Sequence, residues 1–590
     1  MKLYGNVLIK TTILASSCFA FFGCTDGDYD LSNVDTTIGV GGTGINLPGG
    51  NSTNAIKLDD LLDIDGSDFV SIQDNGDYVI SKSDNSISPT HPKVATMNVS
   101  EPTIKTFDIN LMSTSGAKSR AKRLPAITKD IDINADAFSF NYQYENAPKE
   151  IADLNTADLS TSMTITLEFS TSVKNAVTKF DNLSLSFPKY ITISSVTNNT
   201  TAATVGTDNR VTFSNVPTTS SLKFTVNFTR LNFKDANDDA SNYLNFSNSS
   251  ISMKGVVNVK GKCTMNITDY TAKDYTIKTK VETGGFTIIG ANGKFNPSID
   301  FDNIGSVSLS GVPDFLSEKD VVVDIYNPQI VLNMTSDLPL QGLVEGDLIS
   351  KDAAGKQIAK VHVPQFTIRP NASTSVCICR YKSAVTGTFD EIKEVSNLSD
   401  IIRTIPNSIT FNVTAKGDPS TAASIQLGHE YTVTPKYTMT APLAFDKDAR
   451  IVYRDTLDDF NDDIKDIQLG DNGYVKLTAT AENKVPVNLI LSAYAIDTKG
   501  DSISTNDISI DVDKTIAAST DGTTAVSTDI VVTVKQKNKT AFKRFDGIIM
   551  KMVGASGESI KGIILNATKQ TLILKNINAS VVGGVIVDMN

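Results

Sequence analysis

Met163–Phe169 reads MTITLEF, Leu222–Phe228 reads LKFTVNF and Tyr474–Ala481 reads YVKLTATA. In each run apolar and polar residues alternate one by one. A strand turns successive side chains to opposite faces, so such a run buries one face and wets the other. Thr, Val, Ile and Phe fill these runs, and Asn, Asp, Gly and Ser bound them, as strand and turn chemistry require. One wet face per strand is the pattern of antiparallel sheets, not of parallel sheets covered on both sides. The expectation is a mainly β chain of tandem antiparallel, Ig-like β-sandwich domains with a few short helices.

At 590 residues the chain has room for several domains. The segment IVLNMTSDLPLQGLV from Ile330 and VKLTATAENKVPVNLIL from Val475 share one plan. Each is an alternating strand, a short polar step, a Leu-Pro-Leu or Val-Pro-Val step and a second apolar strand. Proline has no N–H to give, so it belongs at the start or edge of that second strand. MTITLEFSTSVKNAV, from Met163, is a fainter third copy. FDNLSLSFPKYI (from Phe180) and FDNIGSVSLSGVPDFL (from Phe301) also echo each other. Such wide spacings imply duplicated domains, not a solenoid. Together with IYNPQ at Ile325–Gln329, the first copy resembles the late-embryogenesis-abundant type-2 β-sandwich, with its Asn-Pro step and apolar hairpin. That resemblance implies a β-sandwich module.

Helical spacing is expected in two places. Ile392, Val395, Leu398, Ile402 and Ile405 fall on one face before Pro406. Leu457, Phe460, Ile464 and Ile467 do the same before Gly470, which leaves Asp458, Asp459, Asp462, Asp463 and Asp466 on the wet face.

The first 30 residues carry an address. Lys2 and Lys10 precede TTILASSCFAFF, an apolar stretch of signal-peptide length, too short to span a bilayer. Gly23 and Cys24 follow, then Asp26, Asp28 and Asp30. The arrangement resembles a relaxed bacterial lipobox cut between Gly23 and Cys24. The aspartates resemble the export signals of Bacteroidota surface lipoproteins. The resemblance implies a diacylglycerol and acyl chain on Cys24 and a place at the outer membrane, surface-exposed. Read without it, the segment is a secretory signal followed by a solvated tether.

Within the tether, Gly39–Gly44 fits G-x-G-x-x-G, but no buried strand precedes it and no helix follows, so it reads as linker. The expected organisation is signal peptide 1–23, lipidated tether 24–55, small N-terminal β region and linker 56–125, and sandwiches at 126–285, 286–445 and 446–590.

The charge of −12 argues against nucleic acid as a partner, because phosphate backbones demand Lys/Arg clusters. The cysteines (Cys18, Cys24, Cys263, Cys377, Cys379) form no disulfide framework, and Cys377-x-Cys379 lacks a second pair for zinc. His91, His362 and His429 have no ligand spacing. The chain has no Trp, the favoured stacking platform for sugars, although Tyr can substitute. Asp235, Asn237, Asp239 and Ser241 have the alternate oxygens of half a calcium loop, without its glycine and glutamate. Arg120 and Arg123 lie in a small, basic segment, SGAKSRAKRLPA, open to proteolysis.

The expected role is non-enzymatic, with no cofactor beyond the acyl chain: a surface protein for binding or adhesion to an extracellular protein or glycan, or an envelope scaffold. Alternatives are a fimbrial-type structural subunit matured by cleavage near Arg120–Arg123, a periplasm-facing scaffold or transport accessory, and a carboxylate-dependent glycan-active enzyme.

Overall fold

The computed structural model describes residues 38–40, 45–47 and, apart from short breaks of which the longest are 59–63, 113–125 and 269–273, residues 52–587. The architecture is mainly β, with a few short helices, as the alternating runs imply. Six sheets pair face to face as three sandwiches in chain order, and a small three-stranded sheet joins the third.

Met163–Phe169 forms the end of the strand Ile151–Phe169, with alternate residues buried. That strand lies between Leu222–Asn232 and Thr276–Thr283. The facing sheet centres on Ser250–Ile267, flanked by Lys179–Ser186 and Ile127–Tyr144. Aromatic pairs close the gap: Phe169 meets Phe180 at 5.2 Å and Phe213 meets Phe224 at 4.7 Å.

The second sandwich places Gln329–Ser336 between Ala372–Cys379 and Val433–Pro442. Its facing sheet holds Gly342–Lys351 beside Ser408–Gly417. The third places Tyr474–Asn483 between Val526–Gln536 and Thr571–Val582, over Arg450–Leu457, Phe545–Ala555 and Asn488–Asp497.

One move recurs. After the central strand of each sandwich the chain crosses to the other sheet: Ile151–Phe169 to Lys179–Ser186, Gln329–Ser336 to Gly342–Lys351, and Tyr474–Asn483 to Asn488–Asp497. The three segments with the strand, step and strand plan are these crossovers. The Phe-Asp-Asn echo is different. Lys179–Ser186 follows a crossover, whereas Ser306–Ser308 pairs with Ser408–Gly417 at the margin of its sheet.

The N-terminal segment visits the sandwiches in reverse order. Ile38–Val40 pairs with Val585–Val587, and Ile45–Leu47 and Ile56–Lys57 pair with Thr571–Val582. Tyr78–Asp84 pairs with Val433–Pro442, and Asp108–Asn110 with Thr276–Thr283. In all three sandwiches it covers an edge of a late strand, which would otherwise be open to foreign strands.

Neither expected helix forms as such. Glu391–Glu394 is a strand, parallel to Ala372–Cys379, and Leu398–Ile401 is a single 3-10 turn. Val395, Leu398, Ile401 and Ile402 are buried. A 3-10 turn brings residues three apart together almost as a helix does, so the apolar spacing did not separate the two. Likewise Arg450–Leu457 stays extended, Asn461–Ile464 makes one turn and Ile467–Leu469 joins Val585–Val587. Sheet pairing at both ends overrides the local pattern.

Candidate functional site

Among the described residues, those singled out in the sequence do not converge. Gly23, Cys24, Arg120, Arg123 and Asp235 lie outside the described residues. Asn237 and Asp239 belong to a short strand paired with Asn242–Ser247, and Ser241 lies in the turn between them. Among the described residues no group of three or more His, Cys, Asp or Glu is placed to hold a metal ion.

Cys263, Cys377 and Cys379 are buried free thiols. Burial pushes Cys263 up to about 11 and Cys379 up to about 12, so both stay protonated and inert. His362 meets Asp347 at 3.1 Å on an exposed surface. His91 and His429 lie near Glu430, whose carboxyl is held below its ordinary range chiefly by Lys93 at 2.8 Å.

Among the described residues one buried ionic cluster stands out that the sequence did not reveal. It joins the second and third sandwiches. Asp324 sits in VVVDIY, a lone carboxylate inside an apolar run, and Asp446 in LAFDKDA, directly behind an apolar step. Both are buried, and Arg380 Nη1 lies 2.8 Å from Asp324 Oδ1 and 3.0 Å from Asp446 Oδ2. Arg380 also donates to Ile325 O and Ser396 O. Ser399 Oγ donates to Asp324 Oδ1 at 3.1 Å, and Tyr381 Oη to Asp446 Oδ2 at 2.7 Å.

Asn327, the Asn of IYNPQ, accepts from the backbone N–H groups of Arg380 and Tyr381 at 3.0 and 2.8 Å. The Asn-Pro step therefore locks the end of Ala372–Cys379 and aims the guanidinium. Tyr326 stacks on Tyr381 at 4.8 Å. Gly562, at φ +78°, passes so close to the Tyr326 ring that a Cβ there would lie 3.0 Å from it.

Burial pushes the Asp446 carboxyl up, but hydrogen bonds from Tyr381 and the Lys447 N–H, with the Arg380 charge, outweigh it and hold the group below the usual carboxylate range. Burial and the Asp446 hydrogen bond push Tyr381 up to about 12. With both carboxylates inaccessible and bound to one guanidinium, the arrangement can fasten two domains.

Backbone bonds complete the joint. Asp446 N donates to Asp324 O at 2.7 Å, Tyr326 N to Ala444 O at 2.8 Å and Gly562 N to Phe445 O at 2.9 Å. The turn before Tyr78–Asp84 is pinned to the same place: Tyr78 N donates to Leu565 O, and Asn566 Nδ2 to Asp77 Oδ1.

Among the described residues two cavities between the sheets are apolar and small. One of about 60 Å³ lies between the sheets of the second sandwich, against Leu332, Phe366 and Phe411, and one of about 50 Å³ lies in the first, against Phe140, Met163 and Phe228. Volumes of this order suit a water or two rather than an organic ligand, and apolar walls keep them dry. Among the described residues no helix is long and apolar enough to cross a membrane.

No family model matches the chain, and no curated protein matches it. Among solved structures it is similar to a protein of Parabacteroides distasonis described as secreted, 15% identical, spanning 49% of this chain and 82% of that one, with a TM-score of 0.34. It is also similar to the triple jelly-roll protein of an archaeal virus turret, 8% identical, spanning 82% and 91%, with a TM-score of 0.10. A third is the N-terminal domain of the Streptococcus gordonii adhesin Sgo0707, 8% identical, spanning 85% and 99%, with a TM-score of 0.11. At these scores the likenesses carry no argument about function.

Proposed function

We propose that the chain is an exported lipoprotein, anchored in the outer membrane through acylated Cys24 and facing outward. Its role in this reading is non-enzymatic: tandem, duplicated sandwiches form a spacer that presents the first sandwich for binding or adhesion. The observation that carries the reading is the order in which the N-terminal segment meets the sandwiches. Ile38 is already paired with the third sandwich, and 38 − 24 leaves 14 residues to the anchor. At 3.3–3.6 Å per residue that tether reaches at most about 50 Å. The third sandwich then stands nearest the membrane, and the first, reached last by the segment, stands farthest. The aspartates behind Cys24 support the outward orientation, and the sealed Asp324–Arg380–Asp446 joint supports a stiff spacer.

Protease shaving of intact cells tests this, with Cys24→Ser beside the wild type. The expected result is release of peptides from all three sandwiches of wild-type cells, and loss of the variant from the membrane fraction. Protection in intact cells but not in lysed ones overturns the outward orientation and makes a periplasm-facing scaffold the better reading. Retention of Cys24→Ser in the membrane overturns the anchor.

A further inference from the structure

Several outward lysines of the sheets meet a carboxylate on a neighbouring strand. Lys262 meets Asp132 at 3.5 Å, Lys535 meets Asp511 at 3.5 Å and Lys575 meets Glu482 at 2.7 Å. Lys551, in the middle of Phe545–Ala555, does not. Its neighbours across the sheet are Ser492 on one side and Arg454 on the other. Among the described residues its ammonium group has no ion pair and donates no hydrogen bond. Arg454 reaches Asp320 at 3.9 Å. Like charges directly opposite on neighbouring strands repel, so an anion brought to this place would stabilise the pair.

The register of the three strands sets Tyr494, Ile549 and Thr456 in one row, Ser492, Lys551 and Arg454 in the next, and Ile490, Val553 and Val452 in a third. Leu489, Leu491 and Met552 alternate with these and pack into the core, so the three rows look outward. Val553 and Val452 are buried, which closes one corner of the face. The rest is open: Tyr494 is 47% and Ile490 45% exposed, and Arg454 and Thr456 are exposed as well. Tyr494 Oη has no hydrogen-bond partner among the described residues. Lys551 stands diagonally across from Tyr494 on the neighbouring strand, ~7–8 Å away between Cα atoms.

The margin beside Tyr494 is not open to a foreign strand. Ile508–Val512 of the same chain lies alongside Asn488–Asp497, held at both ends: Ile503 N donates to Ala495 O at 2.8 Å, and Leu489 exchanges both backbone bonds with Ile516. Recognition at this place therefore goes through side chains on the face, not through backbone pairing.

We propose that this face binds an acidic polysaccharide, one whose sugars carry carboxylate or sulfate groups. The cationic pair calls for an anion, and the exposed ring beside it calls for a flat apolar surface in the same ligand. A pyranose has one: its C–H groups stack on the electron-rich face of an aromatic ring. A sugar seated on Tyr494 brings its anionic substituent, or that of the next sugar, over Lys551 and Arg454. Its hydroxyls come within reach of Ser492 Oγ and Tyr494 Oη. A lipid surface fits less well, because it needs apolar side chains free to enter the acyl region, and about half of Ile490 and of Tyr494 is already covered. The chain as a whole carries −12, so the attraction rests on this pair and is screened by salt. The site lies on the third sandwich and does not depend on acylation of Cys24.

The test uses the full mature chain with Cys24→Ser, which keeps it soluble. Titration calorimetry with oligogalacturonate and with heparin is expected to show binding to at least one of them, weakening as salt is raised, and no binding to neutral dextran. Lys551→Gln and Tyr494→Ala are each expected to weaken binding about tenfold, with the thermal unfolding profile unchanged because both side chains lie on the outer face. Lys476→Gln, on the facing sheet, is expected to change nothing. A chain that binds neither acidic glycan overturns the proposal. Binding that is indifferent to Tyr494→Ala, or that Lys476→Gln weakens as much as Lys551→Gln, overturns it too, because the chain is then acting as an ion exchanger. If the chain binds phosphatidylglycerol vesicles through Lys551 and Tyr494 and neither glycan, the face is a lipid-docking surface and the proposal fails.

Discussion

Replacing Arg380 by methionine preserves much of the side-chain volume and removes the guanidinium from the joint between the second and third sandwiches. That group stands 2.8 Å from Asp324 Oδ1 and 3.0 Å from Asp446 Oδ2, whose side chains are 0% and 3% exposed. Without it two buried carboxylates face each other with no counter-charge, and Asp324 Oδ2 already has no protein partner. Removing one member of a buried ion pair costs about 3–5 kcal/mol, and with two stranded carboxylates we take the middle of that range, about 4 kcal/mol. A chain of three sandwiches is not expected to unfold in one step, so the loss is best read locally by hydrogen exchange with mass spectrometry. The amides of Tyr326, Asp446 and Gly562, which close the joint, are expected to lose about a thousandfold in protection, the equivalent of that energy. Peptides of the first sandwich should keep theirs. Adding Asp324→Asn and Asp446→Asn to Arg380→Met removes the stranded charges and is expected to recover most of the loss. Unchanged protection at the joint in Arg380→Met, or an equal loss across all three sandwiches, would refute the reasoning.

Four further outcomes are expected. Because the Asp446 pKa is depressed in the fold, its contribution is complete at neutral pH and is lost as the pH falls through that lowered value; joint amides should open in acid before those of the first sandwich, and Arg380→Met should flatten this dependence. Cys263, Cys377 and Cys379, all raised by burial, should react with an aromatic disulfide reagent at pH 8 only after denaturant is added. Gly293→Ala should destabilise the first sandwich by about 1–3 kcal/mol in urea unfolding, because its Cβ would lie 2.1 Å from Asp153 O at a register shift of the sheet. A chain beginning at residue 58 bares the edges of Thr571–Val582 and Val585–Val587, and light scattering should show it aggregating where the longer chain stays soluble.

The sandwiches were legible because each long strand carries its own evidence. Ile151–Phe169 and Leu222–Asn232 alternate over enough residues that the buried face is decided locally. The joint was not legible, because its parts are single residues from four separate segments. Asp324 and Asp446 are 122 positions apart (446 − 324) and Arg380 lies between them. A trace existed all the same. A lone aspartate inside VVVDIY has nowhere to reach water if its neighbours are core, so it must find a cation, and IYNPQ beside it already marked the place.

The N-terminal segment shows the opposite limit. Ile38–Val40, Ile45–Leu47, Ile56–Lys57 and Asp108–Asn110 are only two or three residues long, too short for any periodicity to be read. What makes them strands is the waiting edge of a distant strand, which is a tertiary fact. Their placement has a mechanical consequence for a chain held by its N-terminus. A pull at residue 24 acts first on Ile38–Val40 and Ile45–Leu47, each backed by the third sandwich, and reaches the first sandwich only after the pairings with the second have yielded. An anchor placed before the segment therefore loads the nearest sandwich and shields the farthest. If the order of pairing serves anchoring in this way, stretching from residue 24 against a handle in the first sandwich should detach residues 38–57 before any loss of the Asp108–Asn110 pairing. Detachment in the reverse order would leave the segment as an edge cover for three sheets and nothing more.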